Sequence, residues 1–347
     1  MPRNVSHLFG LLFLFTFLIA PTIRADEKSD AKASKDKPAA TDKTDDQKEA
    51  DKPAEKKPED KKPAAKKKAD KKAAAKKEMT KEEAKKKEEP KPMVSAFPDK
   101  ALEEAVRHEV FEKRYNKQPI TAEDVANISR VVGVGKKIKS LEGLQHCRAL
   151  MLIDLADNEI ADLKPIADLK RLQSVTLAGN QIKDLKPIEN LTAMQLLDLS
   201  RNQVSDLSAL KKMSNLRTLY VANNKLKTIA PLADLTKIWS LDLSGNQLAD
   251  LAPVGKLGWL TTLNIVGNQV ESLAPLSTLD DLDMLMMSKN KVSDLKPLVE
   301  MCRKDAEGDR RFAPYLEVYL GGNPINEKDL ATATKDLNGF GVDVYNK

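Results

Sequence analysis

Asp154, Asp198 and Asp242 recur at a fixed interval, and evenly repeated carboxylates raise two kinds of chemistry, cation binding and acid–base catalysis. A calcium ion draws its oxygen ligands to about 2.4 Å, so they must converge on one point. These three aspartates occupy alternate copies of a repeat, about 10 Å apart at ordinary strand spacing, and no two can share an ion. The three histidines are His7, His108 and His146. None belongs to a Ser-His-Asp, Cys-His or metal-ligand arrangement, and no glycine-rich phosphate loop is visible. The expectation is a chain with no catalytic residue, no metal and no cofactor. Cys147 and Cys302 are about seven repeats apart. That is roughly 30 Å of stacked strands, far beyond disulfide reach. Cys147 falls on an apolar repeat position and reads as a buried thiol.

The elements that position these groups follow from self-similarity. Asn158, Asn180, Asn202, Asn224, Asn246, Asn268 and Asn290 recur every 22 residues, and Asn323 restores the frame after an insertion. Around each lies one apolar pattern, represented by Val175 and Leu177 before Asn180 and by Ile182 and Leu185 after it. Alternation before the Asn predicts a short strand with one buried face. The sharp turn that follows strands buried backbone groups, and an Asn side chain can both donate to and accept from them. The asparagines are therefore read as a structural ladder. Pro165, Pro187, Pro231, Pro253, Pro275 and Pro297 then start a short turn or 3₁₀ segment, a column broken only by Ala209. Asp162, Asp184, Asp206, Asp250 and Asp294 are expected to bond turn backbone.

The strand side chains that do not point inward line a second face. One column reads Asp154, Thr176, Asp198, Tyr220, Asp242, Asn264, Met286, Tyr319, and the column beside it includes Met284, with Trp239 one position outside. The framework constrains the buried columns and leaves these free, so partner specificity is expected here. Tyr220, Trp239 and Tyr319 are amphipathic anchors of the kind that dominate interfaces, and Met284 and Met286 add an adaptable apolar patch.

The run Leu169-x-x-Leu172-x-x-Val175-x-Leu177-x-x-Asn180-x-Ile182-x-Asp184-Leu185-x-Pro187-Ile188 resembles the 22-residue repeat of the bacterial internalin-like leucine-rich-repeat family. Intracellular phosphatase-regulating leucine-rich-repeat proteins share a similar repeat. Phe97-Pro98-Asp99, with Ile120-Thr121 further on, resembles the internalin-like cap. The resemblance implies an α/β repeat solenoid, a leucine-rich-repeat horseshoe or shallow arc, with an N-terminal helical cap and a C-terminal helix–strand cap. The chain shows no Leu-Pro-x-Thr-Gly motif, terminal apolar anchor or immunoglobulin-like domain after its repeats, so the resemblance does not imply host-cell adhesion.

The organisation expected is a signal peptide over 1–25, a tether over 26–92, a helical N-cap over 93–125, the solenoid over 126–325 and a C-terminal cap over 326–347. Leu8 to Ala20 is apolar and ends at Pro21. It is shorter than the roughly 20 residues a membrane span needs, and Ile23-Arg24-Ala25 offers a cleavage site before Asp26. Residues 26–92 are almost entirely Lys, Ala, Asp, Glu and Pro, a composition that cannot offset the entropy of ordering. In the cap, Asp99 is expected to cap a helix carrying Leu102, Val106 and Val110, and Thr121 to Asp124 to open a second short helix. Ile128 to Leu144 reads as a degenerate first coil with Lys136 where the Asn belongs. Eleven extra residues fall between about Met301 and Pro314, followed by a helix near Asn326 to Asn338 and a last strand.

Two functions fit. The first is a non-catalytic exported module, periplasmic, envelope-associated or extracellular, that binds a protein on its concave strand face. The alternative is an envelope-associated structural protein in which Lys61 to Lys77, including Lys66, Lys67, Lys68, Lys71 and Lys72, docks on an anionic polymer and the solenoid is a display head. Export argues against a nucleic-acid partner for that lysine run.

Overall fold

The computed structural model describes residues 94–346. The expected signal segment and tether, with the whole Lys61 to Lys77 run, lie outside the described residues.

Each repeat contributes one three-residue strand. In chain order these are β1 (Arg130–Val132), β2 (Leu152–Asp154), β3 (Ser174–Thr176), β4 (Leu196–Asp198), β5 (Thr218–Tyr220), β6 (Ser240–Asp242), β7 (Thr262–Asn264), β8 (Met284–Met286), β9 (Glu317–Tyr319) and β10 (Asp343–Tyr345). They form one parallel sheet in sequential order, and equivalent repeat positions pair, as in Val175↔Leu197 and Thr176↔Asp198. The middle residue of β2 to β9 is buried, while the residues on either side reach the surface in all but Thr218. The leucine-rich-repeat arc read from the sequence is thus the fold observed.

The return side obeys the proline column. Lys164–Ile166, Lys186–Ile188, Ala230–Leu232, Ala252–Lys256 and Ala274–Thr278 are 3₁₀ segments with Pro in the first turn. Ser208–Leu210 adopts the same form around Ala209. The carboxylates of Asp162, Asp184, Asp206, Asp250 and Asp294 each accept from the backbone N–H two residues on, at 2.7–2.9 Å. Where the column lacks Asp, the hydroxyls of Thr228 and Ser272 accept the equivalent bond at 3.2 and 3.3 Å.

The asparagine ladder has a direction. Asn180 Oδ1 accepts from Ile160 N at 2.9 Å, in the coil before its own. Its Nδ2 donates to Leu155 O in that earlier coil at 3.0 Å and to Leu177 O in its own at 2.9 Å. The same pattern runs through Asn202, Asn224, Asn246, Asn268 and Asn290, all buried, and ends at Asn323, which accepts from Val292 N. Each Asn completes its predecessor. This explains Lys136: Asn158 already accepts from Lys136 N and Ile138 N at 3.0 and 2.9 Å, and no coil precedes the first for a side chain at 136 to serve. The residue before each Asn is left-handed. Gly179, Gly245 and Gly267 have φ near +67°, and Asp157, Arg201, Asn223 and Lys289 take the same conformation at φ +53° to +57°.

At the N-terminal end, α1 (Lys100–Arg107) buries Leu102, Ala105 and Val106 in the core that runs through the coils. Asp99 does two jobs. One carboxylate oxygen accepts from Ala101 N and Leu102 N, and the other accepts from Lys139 N and Ser140 N at 2.7 and 3.1 Å. Burial pushes its carboxyl up, but these four N–H donors outweigh it and hold the pKa below the ordinary value. Val110 is buried beyond the helix end rather than on it. The second short helix expected at Thr121 is a run of turns. The box itself forms, with Asp124 accepting from Thr121 N and Oγ1 at 2.6 and 2.7 Å. The bonds that would propagate it, Ala126 N to Glu123 O and Ile128 N to Val125 O, are long at 3.4 and 3.3 Å. The chain enters β1 before a helical turn is established.

The insertion in the last full repeat replaces a 3₁₀ turn with α2 (Lys296–Glu307). Its returning loop is closed by Asp305, which accepts from the N–H groups of Arg311, Phe312 and Ala313. A final helix, α3 (Glu327–Phe340), is capped by Asn326 and ends at left-handed Gly341, where a Cβ would meet Pro314 Cα at 3.0 Å. β10 follows and extends the sheet. Cys147 and Cys302 are buried, and desolvation pushes both thiols up to about 12.

Candidate functional site

The strand registers set the candidate face. The chain of pairings Val132↔Asp154↔Thr176↔Asp198↔Tyr220↔Asp242↔Asn264↔Met286↔Tyr319↔Tyr345 is one continuous column. Beside it run Arg130, Leu152, Ser174, Leu196, Thr218, Ser240, Thr262, Met284, Glu317 and Asp343. Asp154, Asp198, Tyr220, Asp242, Asn264, Met284, Met286 and Tyr319 are all half-buried, each with atoms at the surface. Trp239 stands just outside the sheet and is 49% exposed.

Several of these side chains already have backbone partners. Asp198 accepts from Ser200 N and Asp242 from Ser244 N, both at 2.9 Å, and Asn264 from Val266 N at 3.1 Å. Asp154 makes the same contact to Ala156 N at 3.4 Å. The column thus helps fix the strand-to-turn bend and keeps its remaining acceptor capacity for the surface. Burial pushes the Asp154, Asp198 and Asp242 carboxyls above the ordinary range, and the bonds from Ala156, Ser200 and Ser244 only partly counter it. The three acids lie on β2, β4 and β6, with Thr176 and Tyr220 between them. Among the described residues no group of three or more His, Cys, Asp or Glu could hold a metal ion.

The aromatic groups are pre-positioned. Trp239 Nε1 donates to Thr218 Oγ1 at 3.0 Å, which directs the indole back toward the preceding coil while half of it stays exposed. Tyr220 Oη lies 3.4 Å from Ser240 Oγ. Tyr319 donates to Glu317 Oε2 at 2.7 Å, and its ring stacks on Tyr345 with centroids 4.6 Å apart and planes 13° from parallel. That bond to Glu317, followed by desolvation, pushes the Tyr319 phenol up to about 12.

Tyr345 and Trp259 are among the exposed aromatics that the sequence reading did not assign to the face. Tyr345 lies 26 residues after Tyr319, outside the 22-residue frame, and only the pairing of β10 with β9 aligns them. Trp259 is 58% exposed on the return segment before β7. Its position in the repeat is otherwise polar or small, as Arg171, Ala193, Asn215, Lys237 and Asp281 show, and that contrast was the available signal.

A parallel one-strand-per-coil sheet with a buried Asn ladder and a variable outer strand column defines a leucine-rich-repeat solenoid. The family model for leucine-rich repeats in two copies matches residues 170–212 and 214–256. Internalin C2 from Listeria monocytogenes is similar at 33% identity and TM-score 0.57, the match covering 59% of this chain and 91% of that one. Internalin F from the same organism is similar at 26% identity and TM-score 0.58, over 72% and 76% of the two chains. The leucine-rich-repeat ectodomain of the Arabidopsis thaliana receptor kinase GASSHO1/SCHENGEN3 shares the fold at 20% identity and TM-score 0.52, over 65% and 28%. A comparison with curated proteins returns no match. The chain belongs to the internalin-like leucine-rich-repeat family.

Proposed function

We propose that this chain is an exported, non-catalytic binding module that takes a protein partner on its concave strand face. The observation that carries the reading is the contrast between columns. The inward positions repeat the same aliphatic set from coil to coil, whereas the outward column varies along the stack and holds Tyr220, Met286 and Tyr319 at the surface beside half-exposed Trp239. Aromatic side chains lose little rotamer entropy on binding and present large contact area. A rigid scaffold that fixes them before the partner arrives reduces the cost of association. The signal-like apolar head and its cleavage position before Asp26 support export.

The test is capture from envelope and secreted material by the full chain and by a Tyr220→Ala/Trp239→Ala variant. Loss of a specific partner with thermal unfolding largely unchanged supports the strand face. An unchanged set of captured proteins moves the site elsewhere. N-terminal sequencing of the exported protein should begin at Asp26, and retention of Met1 would refute processing there.

A further inference from the structure

The C-terminal end of the strand face differs from the rest. Glu317 and Asp343 are register partners on adjacent strands, and Glu317 N donates to Asp283 O at 2.9 Å, which brings a third acid alongside. Like charges directly opposite on one face of a sheet repel. Among the described residues none of these three carboxylates is in a salt bridge, and neighbouring Arg311 is committed to Asp280 and Asp281 at 2.6 and 2.8 Å. Beside the acids lie Met284, Met286 and the stacked pair Tyr319–Tyr345. β10 is the last strand of the sheet, and Tyr345 is 43% exposed. An apolar and aromatic surface edged by acids with no salt-bridge partner among the described residues is complementary to a planar cation carried on an apolar segment.

We propose that this end of the face binds an arginine side chain presented by a separate polypeptide, with the guanidinium stacked on the face of Tyr345 that Tyr319 leaves open and paired with Asp343, while Glu317 adds negative potential from the strand behind. Adjoining apolar side chains of that segment rest on Met284 and Met286. Arginine fits better than lysine because its flat group can stack on a tyrosine ring while its fork engages carboxylate oxygens. Glu317 is held by the Tyr319 hydroxyl, so its charge stays fixed on the strand behind Asp343 before the ligand arrives. The inference rests on the strand-face reading and names the chemistry of its partner.

The test uses the full chain and fluorescence anisotropy with a fluorescein-labelled heptapeptide of alternating leucine and arginine. A lysine counterpart and a neutral leucine–threonine counterpart are the comparators. The arginine peptide should bind about two- to fivefold more tightly than the lysine peptide, the range of an exposed cation–π contact. Glu317→Gln/Asp343→Asn should weaken it by about tenfold, as loss of a charge-complementary pair does. Tyr345→Ala should abolish the preference for arginine while leaving residual salt-sensitive attraction. Asp162→Asn/Asp184→Asn, the same charge change on the return side, should leave binding intact. Equal weakening by that control, equal affinity for arginine and lysine peptides, or no binding of either would overturn the inference. If the neutral peptide binds as well and is lost in the Tyr220→Ala/Trp239→Ala variant, the arginine site fails while the strand face stands.

Discussion

Replacing Asn224 with Ala should unlock the coil before it, not its own. Asn224 accepts from Val204 N at 2.8 Å and donates to Leu199 O, Val221 O and Ala222 O at 2.9, 3.1 and 3.1 Å. The carbonyls have second donors. Leu199 O also accepts from Asn202 Nδ2, Val221 O from Asn246 Nδ2 and Ala222 O from Arg201 N. Val204 N has no such reserve. Its orphaning costs about 1–3 kcal/mol, and the thinned bonding at the carbonyls adds on the order of 1 kcal/mol, so a loss of roughly 2–4 kcal/mol is expected. Urea unfolding followed by far-UV circular dichroism measures that total. Hydrogen exchange locates it: the Val204 amide should lose protection, whereas Leu226 N, held at 3.0 Å by Asn246, should keep it. Asn224→Asp adds a second check. It keeps an acceptor for Val204 N but sets an ionised oxygen against carbonyls, so its folded pKa should rise and its stability should improve as pH falls. The reasoning is refuted if Asn224→Ala costs under about 1 kcal/mol or if Leu226 exchanges as fast as Val204.

Further outcomes follow from local geometry. Gly267→Ala should cost about 1–2 kcal/mol by urea unfolding from the left-handed backbone alone, because a Cβ there meets nothing closer than 3.8 Å. Burial raises the folded-state pKa of Asp198 and Asp242, so each contributes more favourably when protonated, and that contribution is lost as pH rises through the raised pKa. Asp198→Asn should therefore stabilise the fold at neutral pH and flatten its pH profile above the ordinary carboxylate range, as thermal unfolding would show. Asp99 behaves oppositely. Its lowered pKa contributes stability above about pH 4 that disappears on further acidification, and Asp99→Ala should cost at least the ~1 kcal/mol of a lost helix cap, with exchange rising at Lys139 and Ser140. Cys147 and Cys302 should react with a thiol reagent only after unfolding, since burial removes both access and thiolate.

The arc was legible because one period fixes everything inward. Val175, Leu177, Asn180, Ile182 and Leu185 each answer a backbone constraint that recurs in every coil, so spacing alone assigns them. The ladder's direction was not legible, since an Asn at 180 could as well serve its own turn as the coil before it. Only the geometry shows that Lys136 needs no substitute. The Thr121 box failed as a helix signal because local capping cannot overrule a chain about to enter a strand. At the face, spacing placed Asp154, Asp198 and Asp242 on the outward column but did not reveal their bonds to backbone two residues on, which use up part of their capacity. Tyr345 was hidden because α3 intervenes and shifts the frame.

An asparagine that serves its predecessor makes the repeat a chain of deferred completions. As the chain emerges N-terminus first, the coil just delivered carries an unsatisfied amide until about 20 further residues follow it out, as the span from Val204 to Asn224 illustrates. Folding from the N-terminus would therefore close coils one step behind emergence, with the helix capped by Asp99 as a starting wall. The same polarity governs how such a chain can lengthen. A duplicated 22-residue unit brings the side chain its neighbour requires, so a new coil can be inserted at any point of the stack without leaving an amide exposed inside it.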